Sequence, residues 1–374
     1  MPRTPTLNIA HIVLSLEVGG LEKVVLTLAT EQQKQGHKAV IVCLDKIGTL
    51  GESLSAKGIT ILCLKRKQSR LDINTVSKLR KILKENKIDI IHTHNVEANI
   101  YGMLSSILLS NIKSIHTQHG IPDNFSFIKQ VYMNISGRML GRFISVSDSA
   151  AQHAVKNHWV NKKKTEVIIN GIDTDDFITG GSDKNTLRDK YNIPRNALIL
   201  VTVSRIEAVK DHATMIEQFS IAASNKQYLH LIIVGDGSLK NNIEKLVDQK
   251  SLRSFVTLTG MQTGVKDYLQ LADIFIMTSI SEGISISLLE AMSTGLIPLV
   301  TPVGGNTQIV AEHESGYFID ITAPDSLKKT INTIETSDTL RQEISDNARK
   351  KVIENFSKDV MIEKYMQHYE ALLS

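Results

Sequence analysis

Cysteine, tryptophan and proline are scarce in this chain of 374 residues, which contains two cysteines, one tryptophan and seven prolines. Two cysteines, Cys43 and Cys63, cannot form a disulfide framework, and neither belongs to a CxxC pair of the kind that binds zinc. This excludes the small disulfide-rich secreted proteins. We therefore expect a reducing, cytoplasmic environment.

Long hydrophobic runs are also missing. The stretch from Tyr101 to Leu109 is among the longest and contains serines, well short of the roughly 18 apolar residues that suggest a membrane span. The first apolar run soon reaches Glu17, so it is too short and wrongly flanked for a signal peptide. The sequence predicts neither a membrane span nor a secretory leader.

What the chain does contain is the composition of a folded protein, with 42% hydrophobic and 22% charged residues. Its length exceeds the roughly 250–300 residues at which single cores stop growing, so we expect two domains. Residues 1–173 carry 23 basic and 13 acidic side chains, whereas residues 174–374 carry 20 and 26. The basic half could face an anionic partner, or the two halves could simply have ordinary solvated surfaces of different charge.

Short β-rich runs alternate with helical stretches throughout, which is typical of parallel sheets covered by helices on both faces. The strands predicted in the first half are 8–14, 38–44, 60–64, 88–92, 114–118, 143–147 and 166–170. Helices are predicted between them at 21–33, 72–86 and 97–109. These elements predict one α/β domain.

A polar stretch from Thr179 to Asn185 is typical of a linker, and a second series of strands follows it. These strands are predicted at 197–203, 229–234, 256–259, 274–278, 296–300 and 316–319, with a final helix at 357–373. Ligands of such sheets bind beyond the carboxyl ends of the strands. We therefore expect two α/β domains facing one cleft, with the chemical residues just after strands.

The most specific motif runs from Ser281 to Ala291, after a predicted strand, and has seven residues between Glu282 and Glu290. Gly283 allows close approach of a ligand, and Ser285 or Ser287 can cap the helix that follows. Such a helix start attracts phosphate, while the carboxylates can accept hydrogen bonds from sugar hydroxyls. The alternative is a helix whose acidic residues merely aid solubility.

A second motif places Arg205 directly after a strand and Lys210 five residues later. Two cations at a strand end suit a diphosphate and would stabilise the charge that develops on a departing one. The alternative is a surface pair neutralised by Glu207 and Asp211. The nearby turn at Gly235 lacks the third glycine of a dinucleotide-binding fingerprint, so we interpret it mainly as a turn that could line the cleft.

In the first domain, Gly19 and Gly20 follow the first strand, where they serve either close ligand approach or a plain turn. Histidines follow two later strands, and His119, before Gly120, is the best placed for a ligand. His92 and His94 resemble a metal motif, but no third ligand follows at a recognisable spacing, so we expect no metal site. Asp173 to Asp176 is similar to an Asp-x-Asp clamp but is better explained by turn chemistry.

Together these motifs resemble the GT-B glycosyltransferases of family 4, and the resemblance covers nearly the whole chain. The motifs that carry it are Gly19-Gly20, His119-Gly120, Ser145-Val146-Ser147, Asn170-Gly171-Ile172-Asp173, Arg205 with Lys210, Gly235-Asp236-Gly237 and Glu282 with Glu290. The family often has glycine before the arginine and after the lysine, where this chain has Ser204 and Asp211.

The resemblance implies a GT-B fold with two Rossmann-like domains and a final helix that crosses back to the first. The acceptor-binding domain would comprise 1–173 with 358–374, and the nucleotide-sugar domain 174–357. The resemblance implies catalytic roles for four residues and donor binding for ten more. The four are His119, Arg205, Lys210 and Glu282; the ten are Gly19, Gly20, Gly235, Gly260, Met261, Gly283, Ile284, Ser285, Ser287 and Glu290.

The implied activity is that of a retaining, metal-independent hexosyltransferase with no cofactor. It would move a hexose or N-acetylhexosamine from a nucleotide diphosphate sugar, by family frequency a UDP-sugar, to a glycan or lipid-linked acceptor in bacterial surface polysaccharide or lipopolysaccharide assembly. The alternatives are a non-catalytic nucleotide-sugar-binding subunit and a GT-B sugar-nucleotide epimerase. The sequence lacks the complete glycine fingerprint that a nicotinamide dehydrogenase requires. It also has too few aromatic residues among its basic stretches to indicate nucleic-acid binding.

Acceptors of this family are often attached to lipid, which gives the basic first half a possible partner. We expect peripheral contact with the inner face of an anionic membrane through three basic stretches. They are Lys65 to Arg70, the helix that carries Lys78, Arg80, Lys81, Lys84 and Lys87, and Phe125 to Arg142 with Lys129 and Arg138. Each basic residue near such a surface contributes about 1 kcal/mol.

Overall fold

A computed structural model describes residues 6–17, 19–55, 58–67, 71–107, 109, 111–121, 126–180 and 184–373. The chain forms two compact units. Unit 1 is Met1–Gly171 together with Lys358–Ser374, and unit 2 is Ile172–Ser357. Among the described residues, no helix is both long and apolar enough to cross a membrane.

Unit 1 contains a seven-stranded sheet in which every recorded pairing is parallel. Its strands are β1 (Asn8–Val13), β2 (Lys38–Cys43), β3 (Thr60–Cys63), β4 (Ile90–His94), β5 (Lys113–Gln118), β6 (Arg142–Ser145) and β7 (Thr165–Val167). They lie in the order β3-β2-β1-β4-β5-β6-β7. The chain therefore changes direction across the sheet between β1 and β4, a point where such sheets bind ligands.

Helices connect the strands of unit 1, and the last helix of the chain packs on the same core. The helices are α1 (Gly20–Lys34), α2 (Thr49–Ser55), α3 (Ile73–Glu85), α4 (Asn95–Ser106), α5 (Phe127–Met139) and α6 (Asp148–Lys156). The final helix, Lys358–Leu373, buries Tyr365 and Tyr369 completely against this sheet. The predicted return of the final helix to the first domain is thereby confirmed.

Unit 2 repeats the plan with a six-stranded sheet in the order β10-β9-β8-β11-β12-β13. Its strands are β8 (Leu198–Val203), β9 (Leu229–Val234), β10 (Val256–Gly260), β11 (Ile274–Met277), β12 (Ile297–Val300) and β13 (Tyr317–Phe318). Its helices are α7 (Lys184–Lys190), α8 (His212–Ala223), α9 (Lys240–Gln249), α10 (Val265–Leu271), α11 (Ile286–Ser293), α12 (Asn306–Ile309), α13 (Ser326–Glu335) and α14 (Asp338–Phe356); the chain's final helix is α15. The direction changes here between β8 and β11.

Both predicted parallel α/β units are thus confirmed, while some predicted details are wrong. In unit 1, helices α2, α5 and α6 were not among the predicted helices. The fourth strand lies two residues further along the chain than the predicted 88–92, since its apolar stretch continues into the histidines. His92 and His94 are therefore buried inside β4, and His116 inside β5, and only His119 follows a strand.

Candidate active site

The loops that follow β8 and β11 carry most of the predicted chemistry of unit 2. These two strands are neighbours in the sheet, so their carboxyl ends lie side by side. Arg205 and Lys210 follow β8, and Glu282 follows β11. Hydrogen bonds join the loops, since the Ile280 amide donates to the Val209 carbonyl at 2.9 Å. Residues that are far apart in the sequence therefore lie on adjacent loops at this edge of the sheet.

Lys210 and Glu282 form an ion pair at this edge. The lysine Nζ lies 2.6 Å from the glutamate Oε1, and the Ser279 hydroxyl donates to the same oxygen at 2.5 Å. The Glu282 side chain is only 7% exposed, compared with 20% for Lys210. A nearly buried carboxylate thus holds a partly accessible ammonium group in place.

Gly304 and Gly305, which follow β12 and which sequence analysis missed, pack against the backbone of the Glu282 loop. A side chain at Gly304 would place its Cβ 1.8 Å from the Glu282 carbonyl oxygen, and φ is +50° there. The Gly305 amide donates to the Gly283 carbonyl at 3.1 Å, and the Thr301 hydroxyl donates to the Ser279 carbonyl at 2.6 Å. Only glycine fits the closest of these contacts.

The Arg205 loop is braced by the turn that contains Gly235. A Cβ at Gly235 would lie 1.9 Å from the Ser204 carbonyl oxygen, and φ is +146°. The Ile206 amide donates to the Asp236 carbonyl at 2.9 Å. Arg205 itself is exposed and forms no ion pair or side-chain hydrogen bond within the described part of the chain. The loop therefore presents an unpaired guanidinium group.

Asp211 explains how the chain dispenses with the glycine that is frequent after the lysine. Its backbone is left-handed, with φ 45° and ψ 51°, a conformation that aspartate tolerates better than most residues. Its side chain accepts a hydrogen bond from the Thr214 amide and so caps α8. Ser204 stands where the family often has glycine before the arginine, and its hydroxyl lies 3.0 Å from Nε2 of the buried His212.

Helix α11 begins as predicted at the serines, and Ser285 rather than Ser287 is the capping residue. Its hydroxyl accepts from the Leu288 amide at 3.3 Å and lies 3.2 Å from the Ser287 hydroxyl. Ile284 is half-buried just before the helix, and Glu290, on α11, is 9% exposed. Among the described atoms, nothing lies within 4 Å of a Cβ built on the exposed Gly283, so the space above it is open.

Gly260 and Met261 extend this edge towards β10. The Gly235 amide donates to the Gly260 carbonyl at 3.0 Å, so the two predicted donor-binding glycines are neighbours. Gly260 has a φ of +70°, which turns the chain and leaves Met261 80% exposed. An exposed methionine beside backbone groups suits contact with a flat apolar ring.

In unit 1, His119 follows β5 and its backbone amide donates to the Asn95 side chain at 3.0 Å. Its Nε2 lies 3.0 Å from His94 Nδ1, while Nδ1 is buried without a partner in the described part of the chain. A Cβ on Gly120 would meet nothing among the described atoms within 4 Å. Gly19 has extended backbone before α1 and Gly20 begins that helix exposed, so the two glycines lie after β1.

Five histidines cluster at this end of unit 1, and they come from β1, β4, β5 and the segment directly after β5. Burial lowers the pKa of His11 and of His116 to about 4, and that of His119 to about 3. Burial and neighbouring histidines hold the pKa values of His92 and His94 well below the usual range. All five rings are therefore neutral at pH 7.

The third histidine that the metal motif lacked is His11, from β1, which no spacing rule could reveal. Ring nitrogens of His11, His92 and His94 lie within 4.8 Å of one another. The ring nitrogens of these three residues already face protein partners, and two of the contacts join the rings of His11, His94 and His119. The cluster is thus organised as a hydrogen-bonded network.

Two other motifs of the resemblance, and the Asp173 to Asp176 segment, have structural roles that the contacts define. The Ser147 hydroxyl accepts from the Ala150 amide and caps α6. The Ile172 amide donates to the Phe356 carbonyl, close to where the chain passes between the units. The Asp175 amide donates to the Asp173 side chain at 3.2 Å, which is turn chemistry.

Comparison with known proteins agrees with this geometry. The model "Glycosyltransferase Family 4" matches residues 18–176, and "Glycosyl transferases group 1" matches residues 183–351. The chain belongs to the GT-B glycosyltransferases, and the recognition from sequence is confirmed.

One relative and two solved structures match nearly the whole length of the chain. UDP-Gal:alpha-D-GlcNAc-diphosphoundecaprenol alpha-1,3-galactosyltransferase of Escherichia coli is 26% identical, over 97% of this chain and 96% of its own. A glycosyltransferase of Rickettsia africae superposes with a TM-score of 0.88 at 22% identity, over 99% and 100% of the two chains. HepE of Anabaena in complex with UDP gives 0.85 at 19% identity, over 98% and 100%. The GT-B fold is thereby confirmed.

Proposed function

We propose that this glycosyltransferase is a retaining hexosyltransferase that moves a hexose or N-acetylhexosamine from a UDP-sugar to a lipid-linked glycan. The observation that carries the proposal is the edge of unit 2. There an unpaired Arg205, a Lys210 held by Glu282 and open space above Gly283 lie on the loops after two adjacent strands. This combination suits a sugar diphosphate better than any neutral ligand.

Each group has a role in the proposed reaction. Arg205 and Lys210 hold the diphosphate, and amides of Ile284 and Ser285 at the start of α11 lie near its oxygens. Glu282 accepts hydrogen bonds from donor-sugar hydroxyls, Glu290 binds the ribose, and the segment at Met261 meets the base. In unit 1, His119 and the loop at Gly19 and Gly20 keep the roles that the family resemblance predicts for them.

In the reaction, the bond between the sugar C1 and the diphosphate oxygen breaks while the acceptor oxygen bonds to C1 on the same face. The acceptor proton passes to the departing phosphate oxygen. The two cations stabilise the negative charge that develops on that leaving group, which is the task a metal ion performs elsewhere. Retention follows because attack and departure share one face of the ring.

The donor can be identified by thermal unfolding in a panel of UDP, GDP and their sugars. At equal concentration, a ligand that binds only the folded chain raises its melting temperature more the more tightly it binds, in a logarithmic relation. HepE, a fold neighbour, has been solved with UDP-glucose, and the name of the E. coli relative specifies a UDP-galactose donor. We expect UDP to stabilise the protein more than GDP. Equal shifts, or a larger shift with GDP, would exclude the UDP assignment.

Retention and metal independence are tested on the product. An α-linked UDP-sugar should give an α-linked product, seen from the anomeric proton coupling in NMR, and turnover should persist in EDTA. A β-linked product contradicts the mechanism. Binding of the UDP-sugar without hydrolysis or transfer to any polyprenyl-diphosphate sugar would instead favour the non-catalytic subunit, and conversion of the UDP-sugar into its isomer would favour the epimerase.

The lipid-linked acceptor is supported by an exposed apolar face on α5. Phe127, Ile128, Val131 and Ile135 are 81%, 67%, 40% and 55% exposed, and helical geometry places them on one side. The opposite side, with Met133, is buried. Globular proteins rarely expose such a continuous stripe, so the stripe points to an apolar environment.

Exposed basic residues lie at the end of this stripe, which makes an anionic lipid surface the fitting partner. Arg138 is exposed on the last turn of α5, and Lys162 and Lys163 are exposed beside it. Lys164, next in the chain, donates to the Leu140 carbonyl at 2.7 Å and thereby ties this basic segment to the helix end.

Several of the predicted basic residues, in contrast, serve the protein itself. Arg66 pairs with Asp45 at 2.7 Å, Arg80 donates to the Ser105 carbonyl at 3.1 Å, and Lys129 pairs with a glutamate. The proposed contact therefore narrows from three basic stretches to α5 and the lysines beside its end.

Vesicle sedimentation tests this surface. We expect binding to phosphatidylglycerol vesicles, weaker binding to phosphatidylcholine, and a loss of about tenfold or more in Ile128→Ser/Ile135→Ser, because each inserted side chain contributes up to about 2 kcal/mol. Ile353→Ser, an exposed apolar position of unit 2, is the matched control and should bind like wild type. Equal binding to both vesicle types, or a concentration-dependent dimer lost in the double variant, would exclude the lipid contact.

A further inference from the structure

Four side chains from α1, β1, β4 and the segment after β5 form an unbroken hydrogen-bonded chain. Gln32 Oε1 lies 2.9 Å from His11 Nε2, and His11 Nδ1 lies 3.1 Å from His94 Nε2. His94 Nδ1 lies 3.0 Å from His119 Nε2. Gln32, His11 and His94 are no more than 1% exposed, so water does not compete with these contacts.

The contacts allow only one proton arrangement once the first acceptor is known. A neutral imidazole has one donor and one acceptor nitrogen, and each contact between two rings needs a single proton. Because Gln32 Oε1 accepts from His11 Nε2, His11 Nδ1 must accept from His94 Nε2. His94 Nδ1 must then accept from His119 Nε2, which leaves His119 Nδ1 as an acceptor.

Tyr369, from α15, couples the orientation of the Gln32 amide to the tautomer of His92. Its hydroxyl lies 2.6 Å from His92 Nδ1 and 3.4 Å from Gln32 Nε2. When that hydroxyl donates to His92, it can only accept from Gln32, so the amide nitrogen faces Tyr369 and the oxygen faces His11. Reversing the amide would switch His11, His94 and His119 to the opposite tautomer, and His119 Nδ1 would then be a donor.

We infer that Tyr369, Gln32, His11 and His94 act as positioning residues that hold His119 in its Nε2–H tautomer, with Nδ1 kept as an acceptor for a substrate hydroxyl. His119 Nδ1 is buried without a partner in the described part of the chain, although the ring is partly exposed. An unmade hydrogen bond of this kind is costly and is recovered when a donor arrives. The substrate part of this inference rests on the proposed function; the tautomer part does not.

The tautomers can be read directly from long-range ¹H–¹⁵N spectra of the full chain labelled at histidine, with His119→Asn used for assignment. We expect Nε2–H for His11, His94 and His119 in wild type. In Tyr369→Phe, the His119 nitrogens should shift towards the average or reversed pattern. Tyr191→Phe is the control, because its hydroxyl contacts the Tyr268 hydroxyl at 2.9 Å in unit 2, and the wild-type pattern should persist.

Two substitutions of Gln32, the first member of the hydrogen-bonded network, test its effect on turnover. Gln32→Glu keeps an acceptor towards His11 and should retain the tautomer and kcat/KM for the donor. Gln32→Met removes the acceptor and should lower kcat/KM about tenfold, the worth of one hydrogen bond.

If the wild-type protein shows the Nδ1–H tautomer of His119, the inference is overturned, and this result requires neither a variant nor an activity measurement. An unchanged tautomer in both Tyr369→Phe and Gln32→Met would overturn the role of the positioning residues. The predicted tautomers combined with unchanged kcat/KM in Gln32→Met would overturn the role of Nδ1 towards substrate. Absence of any transfer activity, with the predicted spectra, would count against the proposed function alone.

Discussion

Replacing Lys210 with methionine should separate the two tasks of this lysine, which are stability of the free protein and charge stabilisation in the reaction. Methionine keeps the length of the apolar stem but removes the ammonium group. It leaves the Glu282 carboxylate, 7% exposed, with the Ser279 hydroxyl as its recorded partner. We expect unit 2 to lose stability and the enzyme to lose turnover.

The size of the stability loss follows from the geometry. At 2.6 Å and an effective dielectric constant of about 20, the gross attraction is about 6 kcal/mol, most of which offsets desolvation. Breaking a fully buried pair costs about 3–5 kcal/mol, and partial exposure of Lys210 reduces this to about 2–3 kcal/mol. For a unit of this size, that lowers the melting temperature by about 4–12 °C in calorimetry.

The double variant Lys210→Met/Glu282→Gln distinguishes the two tasks. Removing the unpaired carboxylate should restore at least half of the lost stability, while turnover stays about 10²–10³-fold below wild type because the leaving group still lacks its cation. Lys250→Met is the control, since Lys250 pairs with Glu217 at 2.5 Å on the exposed surface and should change neither quantity appreciably. A double variant less stable than Lys210→Met, or one that regains turnover, would refute this reasoning.

Three further outcomes are expected. Gly304→Ala should lower kcat/KM for the donor at least tenfold and reduce the melting temperature, because its Cβ would lie 1.8 Å from the Glu282 carbonyl oxygen. Gly264→Ala is the control and should behave like wild type, because the nearest contact of its Cβ is at 3.4 Å. Similar behaviour of the two variants would contradict the packing argument. Urea unfolding should show lower stability at pH 5 than at pH 7.5. The pKa values of His11 and His119 are lowered to about 4 and about 3, so the unfolded chain binds protons below pH 6.5 that the folded chain refuses, and the loss at pH 5 is about 2 kcal/mol per histidine. Equal stability at the two pH values would show that these rings are not buried neutral. Turnover should also survive dialysis against EDTA, and full loss with recovery on adding Mn²⁺ would restore the metal hypothesis.

Much of the fold was predictable because it depends on local pattern. Apolar runs of strand length between helical stretches indicate parallel sheets wherever they fold, and glycines and cations just after such runs lie at the carboxyl edge. Arg205, Lys210 and Glu282 could therefore be chosen without a structure. The error at His92 and His94 has the same origin, since local pattern does not show where a buried strand ends.

The partners of these residues were not predictable, because they come from distant parts of the chain. Nothing near Glu282 indicates that Gly304 must be glycine, and the reason appears only when β11 and β12 are side by side. Asp211 appeared to be a departure from the family until its left-handed backbone and its capping role were seen.

The sequence by itself thus determined two parallel α/β units and the chemical groups at the strand ends, while the return of the final helix to the first unit was expected only from the family resemblance. Only the tertiary structure decided what state those groups are in. Tyr369 reaches a histidine 277 positions earlier in the chain, and Gln32, His11 and His94 come from elements that are adjacent only in the folded sheet. A tautomer or an ion pair depends on distances of about 3 Å between such groups, and no spacing along a chain contains that information.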